Sequence, residues 1–174
     1  MIVLGIDVGL QVCGFCIAKI AASQIQLLID EDIVPAAGNS LPEKLNYIYD
    51  SLKRSIDRYH PGVMVVEKLY SHYRHPATLG KLAQVRGVCA LLAQHERLDF
   101  HEYSPTRVRK AFLGRGSVDS ERVKRMAESM SGRALCSVHA ADAFSLIVAF
   151  SHEYRKKNIR SSVYDFSHTR NPHT

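Results

Sequence analysis

A chain of 174 residues, 46% of them hydrophobic, can bury about 70% of its unfolded surface in one core and needs no disulfide or metal staple. Its 23 lysines and arginines outnumber 17 acidic residues, for a net charge of +6, a basic bias that suits a polyanionic partner. No stretch approaches the ~20 apolar residues of a membrane span, and MIVLGID lacks a basic n-region and meets Asp7 too early for a signal peptide, so the four cysteines are expected as reduced thiols in a cytosol.

Ile2 to Asp7 is a short β-branched apolar run, long enough for a strand and too short for a helix. Gly9-Leu10-Gln11 reads as a turn and Val12 to Lys19 as a second strand. Gln24 to Val34 reads as a third, which the Asp30-Glu31-Asp32 cluster is expected to disturb. The three fit an antiparallel meander. Ser40-Leu41-Pro42-Glu43 is a capping box with proline in the first turn, where its missing N–H costs nothing. Leu45, Ile48, Tyr49, Leu52, Ile56 and Tyr59 then recur at helical spacing until His60-Pro61-Gly62. Gly62 to Glu67 is an apolar strand that ends on a carboxylate.

A second helix, Pro76 to His95, carries Leu79, Leu82, Val85, Cys89 and Leu92, with Gly80 and Gly87 on similar faces and open to a close helix approach. Leu98 to Tyr103 is a fifth strand. Ser104-Pro105 caps a short helix that ends near residues 113 to 117, and another helix spans about Asp119 to Met130. Ser137 caps a last core helix from His139 to about Tyr154. The order βββαβαβααα predicts one α/β domain over residues 1 to 154, with a mixed sheet. The polar tail, 155 to 174, is basic and is expected to be flexible.

Two chemistries compete near the start. Cys13 and Cys16 form a CxxC, but a redox CxxC sits at a helix start that stabilises the thiolate. In a strand, residues i and i+3 point to opposite faces, and no second CxxC completes a zinc site. Buried packing is therefore expected rather than a thiol oxidoreductase. Asp7 and Glu67 differ: each ends a buried strand, where a carboxylate is costly unless a cation or donors compensate. His139 and Asp142 are three apart and share a helix face, with Asp142 set among Ala141, Ala143 and Phe144. Singly, these acids also read as polar strand ends and a dipole-favoured first-turn residue. Together they suit an oxygen-rich divalent-metal site. Two-metal phosphodiester hydrolysis uses such a set, with ions ~3.5–4 Å apart. From Pro105 to Arg133, eight basic residues face three acidic ones, which suits either a solvated helix face or a nucleic-acid surface.

In the motifs LGIDVG (4 to 9), VVEKLY (65 to 70), GKLAQVRGV (80 to 88), SPTRVRKAFLGRGS (104 to 117) and HAADAFSLI (139 to 147), the sequence resembles the RuvC family of Holliday junction resolvases. The resemblance spans roughly residues 2 to 150. It implies an RNase H-like fold, a mixed five-stranded sheet flanked by helices. The implied activity is an endodeoxyribonuclease that resolves four-way DNA junctions by paired nicks in recombination and repair. Asp7, Glu67, His139 and Asp142 correspond to the catalytic, metal-ligating set, with Mg²⁺ or Mn²⁺ as two ions per site. The family further implies a homodimer, with the Pro76–His95 helix in its interface, branch-migration proteins as partners, and a bacterial cytoplasm.

For DNA contact the resemblance points to Tyr70, as an aromatic that stacks on an unpaired base; its loop, YSHYRHP, adds Arg74, which reads either as part of a polar connector or, near a metal site, as a DNA contact. Arg109 fills a basic position, and Arg115 and Ser117 lie in the Gly-rich turn LGRGS, followed by Lys124. Two residues depart from the family pattern. His139 stands where many members have aspartate; imidazole binds metal only when neutral, so activity is expected to fall below about pH 6.5. Ser120 stands where lysine is common, leaving Arg115, Arg122 or Lys124 as its replacement. The rival readings are a junction-binding protein with weak or no cleavage and a related nuclease acting on other branched nucleic acids.

Overall fold

The computed structural model describes residues 1–21, 24–69, 76–114 and 119–168, with the backbone alone for residues 113 and 157–168. In chain order the elements are β1 (Ile2–Asp7), β2 (Cys13–Ile20), β3 (Ile25–Ile33), α1 (Leu41–Tyr59), β4 (Val63–Glu67), α2 (Pro76–His95), β5 (Asp99–Tyr103), α3 (Pro105–Leu113), α4 (Ser120–Ser131) and α5 (Val138–His168). The five strands form one sheet in the order β3-β2-β1-β4-β5. β1, β2 and β3 pair antiparallel as the expected meander, while β4 and β5 join parallel on the other side of β1. The sheet is therefore mixed, with helices on both faces.

Local sequence explains the joints. The turn after β1 needs Gly9, because a Cβ there would stand 1.9 Å from the Val12 carbonyl oxygen. α1 opens on the predicted capping box, with the Ser40 N–H donating to Glu43 at 2.6 Å. Ser104 and Asp119 cap α3 and α4 by accepting from the Arg107 and Arg122 backbone N–H groups.

Strand alternation divides the core into two layers. Leu4, Ile6, Cys13, Phe15, Ile17, Met64 and Val66 face α1 and α2, where Ile48, Leu52, Ile56, Val85, Cys89 and Leu92 meet them. Val3, Cys16, Ala18, Val65 and Tyr103 face the other way, against α5 with α3 and α4 beside it. On that second face α5 lies directly on backbone. A Cβ at Gly5 would stand 2.3 Å from the Ala143 carbonyl oxygen, and one at Gly14 2.4 Å from the His139 carbonyl carbon.

Two expectations need correction. The acidic cluster does not disturb β3, which pairs with β2 through Asp30, Glu31 and Asp32. β3 is an edge strand, so Glu31 points to solvent, and Asp30 and Asp32 find hydrogen-bond donors in the chain leading to α5. The register irregularity falls instead at Ile17/Ala18. The last helix does not stop near Tyr154 but continues to His168. Burial does fade after Ser151, yet no glycine or proline lies between Val138 and His168 to break the backbone ladder.

Candidate active site

β1 and β4 run parallel with Ile6 opposite Val66, so the two strands end together on Asp7 and Glu67. Parity fixes their direction. Asp7 follows Val3 and Gly5, and Glu67 follows Val63 and Val65, so both carboxylates belong to the face covered by α5. α5 crosses above them and contributes Asp142. All three acids line one cavity of about 80 Å³, completed by Pro105, Val108 and Arg109 of α3 and by Ser145 and Leu146 of α5.

The cluster is electrostatically unfavourable by itself. Glu67 is pushed up to about 7, first by burial and then by the charges of Asp7 and Asp142, against the opposing pull of Arg109. Asp142 rises to about 6, through burial and Asp7, with Arg109 and His139 opposing. Carboxylates gathered this way are relieved by a cation between them.

His139 occupies a different place from the three acids. Its imidazole does not line the cavity, and its Nδ1 lies 2.8 Å from Asp7 Oδ2. A carboxylate can only accept, so the Nδ1–H is the donor. That bond holds the imidazole's pKa above the usual 6.5, against the effect of partial burial. The i, i+3 spacing thus brings His139 and Asp142 to the same strand ends, with His139 acting on Asp7 directly.

The donor set suits a hard divalent ion: three carboxylates, a neighbouring imidazole and no thiolate. Among the described residues no three such side chains converge tightly enough to enclose one ion. The acids are spread around a shared cavity, and the fit to a metal rests on donor chemistry and on the raised carboxylate pKa values.

The basic residues separate as well. Tyr70, Arg74, Arg115 and Ser117 lie outside the described residues. Arg109 lines the cavity and lowers the proton affinity of both Glu67 and Asp142. Lys124 is half-buried on α4, and Arg122 borders a separate groove with Phe112, Arg125, Met126 and Ser129. Neither lines the carboxylate cavity. Sequence reading missed Ser145, whose hydroxyl donates to the Asp142 carbonyl at 2.6 Å; its position one turn after Asp142 was the available signal.

The CxxC divides between the two layers. Cys13 packs with Phe15 under α1 and α2, and Cys16 lies under α5, its thiol donating to the Ala140 carbonyl at 3.0 Å. Burial pushes both thiols well above their ordinary range, which removes the thiolate that redox chemistry requires.

Comparison with known proteins places these features in a family. Residues 3–152 match the family model described as crossover junction endodeoxyribonuclease RuvC. The chain is 33% identical over 132 residues to the crossover junction endodeoxyribonuclease RuvC of Moorella thermoacetica, covering 76% of this chain and 78% of that protein. It is 28% identical over 157 residues to the protein of the same name from Natranaerobius thermophilus, covering 89% and 97%. In fold it matches the solved structure of Thermus thermophilus RuvC in complex with Holliday junction substrate, at a TM-score of 0.82 and 24% identity, over 90% of this chain and 96% of that one.

Proposed function

The chain belongs to the RuvC family of crossover junction endodeoxyribonucleases, and from that premise we propose that it resolves four-way DNA junctions by paired, metal-dependent nicks. The observation that carries this reading is the convergence of Asp7, Glu67 and Asp142 on one cavity beside Arg109. Asp7, Glu67 and Asp142 are the residues that would hold Mg²⁺ or Mn²⁺, two ions per site. Bound there, the ions supply an activated water and stabilise the leaving oxygen of the phosphodiester.

The remaining chemistry belongs to the chain. The His139 Nδ1–H orients the Asp7 carboxylate and leaves the other ring nitrogen able to ligate while the imidazole is neutral. The Arg109 guanidinium, already facing the carboxylates, offers a planar fork to a phosphate drawn into the cavity. Arg109 is the basic side chain among the described residues that lines the cavity, which supports its assignment to phosphate contact. Tyr70, Arg74, Arg115, Ser117 and Lys124 are assigned to DNA contact.

A homodimer through α2 completes the reading. Gly80 and Gly87 meet no described atom within 4 Å of an added Cβ, and Leu91, one turn beyond Gly87, is 53% exposed. This apolar outer stripe suits a second copy of the helix. Among the described residues no helix is long and apolar enough to cross a membrane. We assign the protein to the cytoplasm, with branch-migration proteins as partners.

The test is direct: incubate the protein with a synthetic four-way junction or linear duplex in Mg²⁺, Mn²⁺ or EDTA. Paired nicks confined to the junction and absent in EDTA are expected. Binding without cleavage in every metal would replace this reading with a junction-binding protein.

A further inference from the structure

The acidic triplet on β3 has no part in the cavity, yet two of its members act on the catalytic helix. Paired residues in a sheet share a face. Asp30 lies opposite Cys16 and Asp32 opposite Gly14, which puts both carboxylates on the α5 side of the sheet and leaves Glu31 facing away. Asp30 accepts from the Cys136 N–H at 2.7 Å and from the Arg133 guanidinium at 2.5 Å. Asp32 accepts from the Ser137 hydroxyl at 2.7 Å.

Ser137 is itself the cap of α5. Its oxygen accepts from the Ala140 N–H at 2.9 Å while its hydrogen goes to Asp32, so one hydroxyl is held at both ends. Its carbonyl accepts from the Ala141 N–H at 3.2 Å. The first turn of α5 is thus tied to the edge strand through a two-bond relay, and His139 is two residues into that turn. Gly14, paired with Asp32, is also the residue against which the His139 backbone rests. The relay, the close contact and the His139–Asp7 bond form one continuous path.

We propose that Asp32, acting through Ser137, is a positioning residue for the reaction: it fixes the rotation and start of α5 so that His139 and Asp142 meet Asp7 and Glu67. Asp30 steadies the same segment from the turn before. The inference rests on the resolvase reading for its kinetic arm and stands on the fold alone for its structural arm.

Five variants of the full chain test it: Asp32→Ala, Asp32→Asn, Ser137→Ala, Ser137→Thr and the double variant Asp32→Ala/Ser137→Ala. Each is assayed for nicking of a synthetic four-way junction in Mg²⁺ and for amide exchange along α5. Asp32→Ala and Ser137→Ala are expected to lower kcat on the order of ten- to a hundredfold, the scale of a small misplacement of reacting groups, with KM for the junction within about twofold. Exchange should quicken at Ala140 and Ala141 and stay unchanged from Ala143 to Ala149. Asp32→Asn and Ser137→Thr keep the acceptor and the hydroxyl, and both should restore kcat. The Asp32→Ala/Ser137→Ala double variant should be no worse than either single, because both break one relay.

Wild-type kcat in Asp32→Ala and Ser137→Ala would overturn the proposal. So would an Asn variant as impaired as the Ala variant, which would make charge rather than the hydrogen bond the cause, and so would additive losses in the double variant. Should the wild-type protein leave junctions intact, the resolvase reading falls, and exchange at Ala140 and Ala141 still decides whether Asp32 holds the start of the helix.

Discussion

The two faces of the sheet are packed by opposite rules. Under α1 and α2, strand residues are large: Leu4, Ile6, Phe15, Ile17 and Met64 interleave with Ile48, Leu52 and Leu92. Under α5 the strands set Gly5, Gly14, Cys16 and Ala18 among Val3, Val65 and Tyr103, and the small residues lie where Ala140, Ala141 and Ala143 cross. Large side chains contribute more buried apolar area, and therefore more stability, but they hold a helix away from the sheet. Small ones let the helix backbone rest on the strands, close enough for a short aspartate on α5 to share a cavity with aspartate and glutamate at the strand ends. The site is built where glycines on the strands let a helix backbone rest on the sheet.

The strongest way to break this comparison is to remove a carboxylate from the small-residue face. Asp7→Asn keeps the shape and removes the charge. Nicking is expected to fall by roughly 10³-fold or more, while junction affinity measured in EDTA stays within a few-fold. Equal loss of both would mean that Asp7 holds the fold rather than the chemistry.

Next come substitutions that alter packing on each face without touching a charged group. Gly5→Ala forces a Cβ to within 2.3 Å of the Ala143 carbonyl and lifts α5. Overpacking of this kind costs about 1–3 kcal/mol, and the displaced Asp142 should lower kcat on the order of ten- to a hundredfold. Leu52→Ala on the opposite face costs about 2–5 kcal/mol through its cavity, with kcat per folded molecule unchanged. Denaturant melts beside nicking rates at low temperature separate the two. If Leu52→Ala slows nicking as deeply as Gly5→Ala, the division of labour between faces is wrong.

Much of this division was legible in the sequence, for reasons that are themselves local. Alternation along IVLGID and VMVVE sets which way Asp7 and Glu67 point, and the i, i+3 spacing sets His139 and Asp142 on one helix face. Capping residues at Ser40, Ser104 and Ser137 marked three helix starts. What stayed hidden depended on distance in the chain. The Asp30-Glu31-Asp32 run looked like a fault in a strand because its partners, Arg133, Cys136 and Ser137, lie more than 100 residues away. The direct bond from His139 to Asp7, across 132 residues, was hidden for the same reason; from spacing alone His139 reads as a ligand equal to the acids. The helical course of 155–168 escaped because loss of apolar period is a signal about burial, not about the backbone ladder.

Protons supply a graded test of the same face. In EDTA the raised carboxylates work against folding. The folded pKa of Glu67, about 7, lies above its ordinary value of 4.5, so the folded state binds the extra proton between those limits. Stability must therefore fall as pH rises from about 4.5 to 7. Glu67→Gln removes the penalty and is expected to stabilise the metal-free protein at pH 8 by about 1–2 kcal/mol, while abolishing nicking. With metal present, protons and cation compete for the same oxygens. The Mg²⁺ concentration for half-maximal nicking should rise as pH falls through 7 toward 6, the range of Glu67 and Asp142. His139, held above its usual 6.5 by Asp7, moves the acid loss of activity to higher pH than an isolated imidazole would. A half-saturating Mg²⁺ concentration that is constant from pH 8 to 6 would sink this account.

The smallest expected effect concerns the pair of cysteines that straddles the two faces. Cys13 belongs to the large-residue layer and Cys16 to the small-residue layer, and each is fully buried. Serine at position 16 keeps a donor for the Ala140 carbonyl, and serine at position 13 places a hydroxyl in an apolar layer. The double variant Cys13→Ser/Cys16→Ser should lose about 1–3 kcal/mol of stability, most of it from position 13, with nicking unchanged in the presence or absence of reductant. The asymmetry is the informative part: a substitution of identical chemistry is damaging where the layer is apolar and tolerated where a backbone carbonyl awaits a donor. Wild-type nicking that responds to reductant while the double variant's does not would return a redox role to a motif whose thiols the fold keeps protonated.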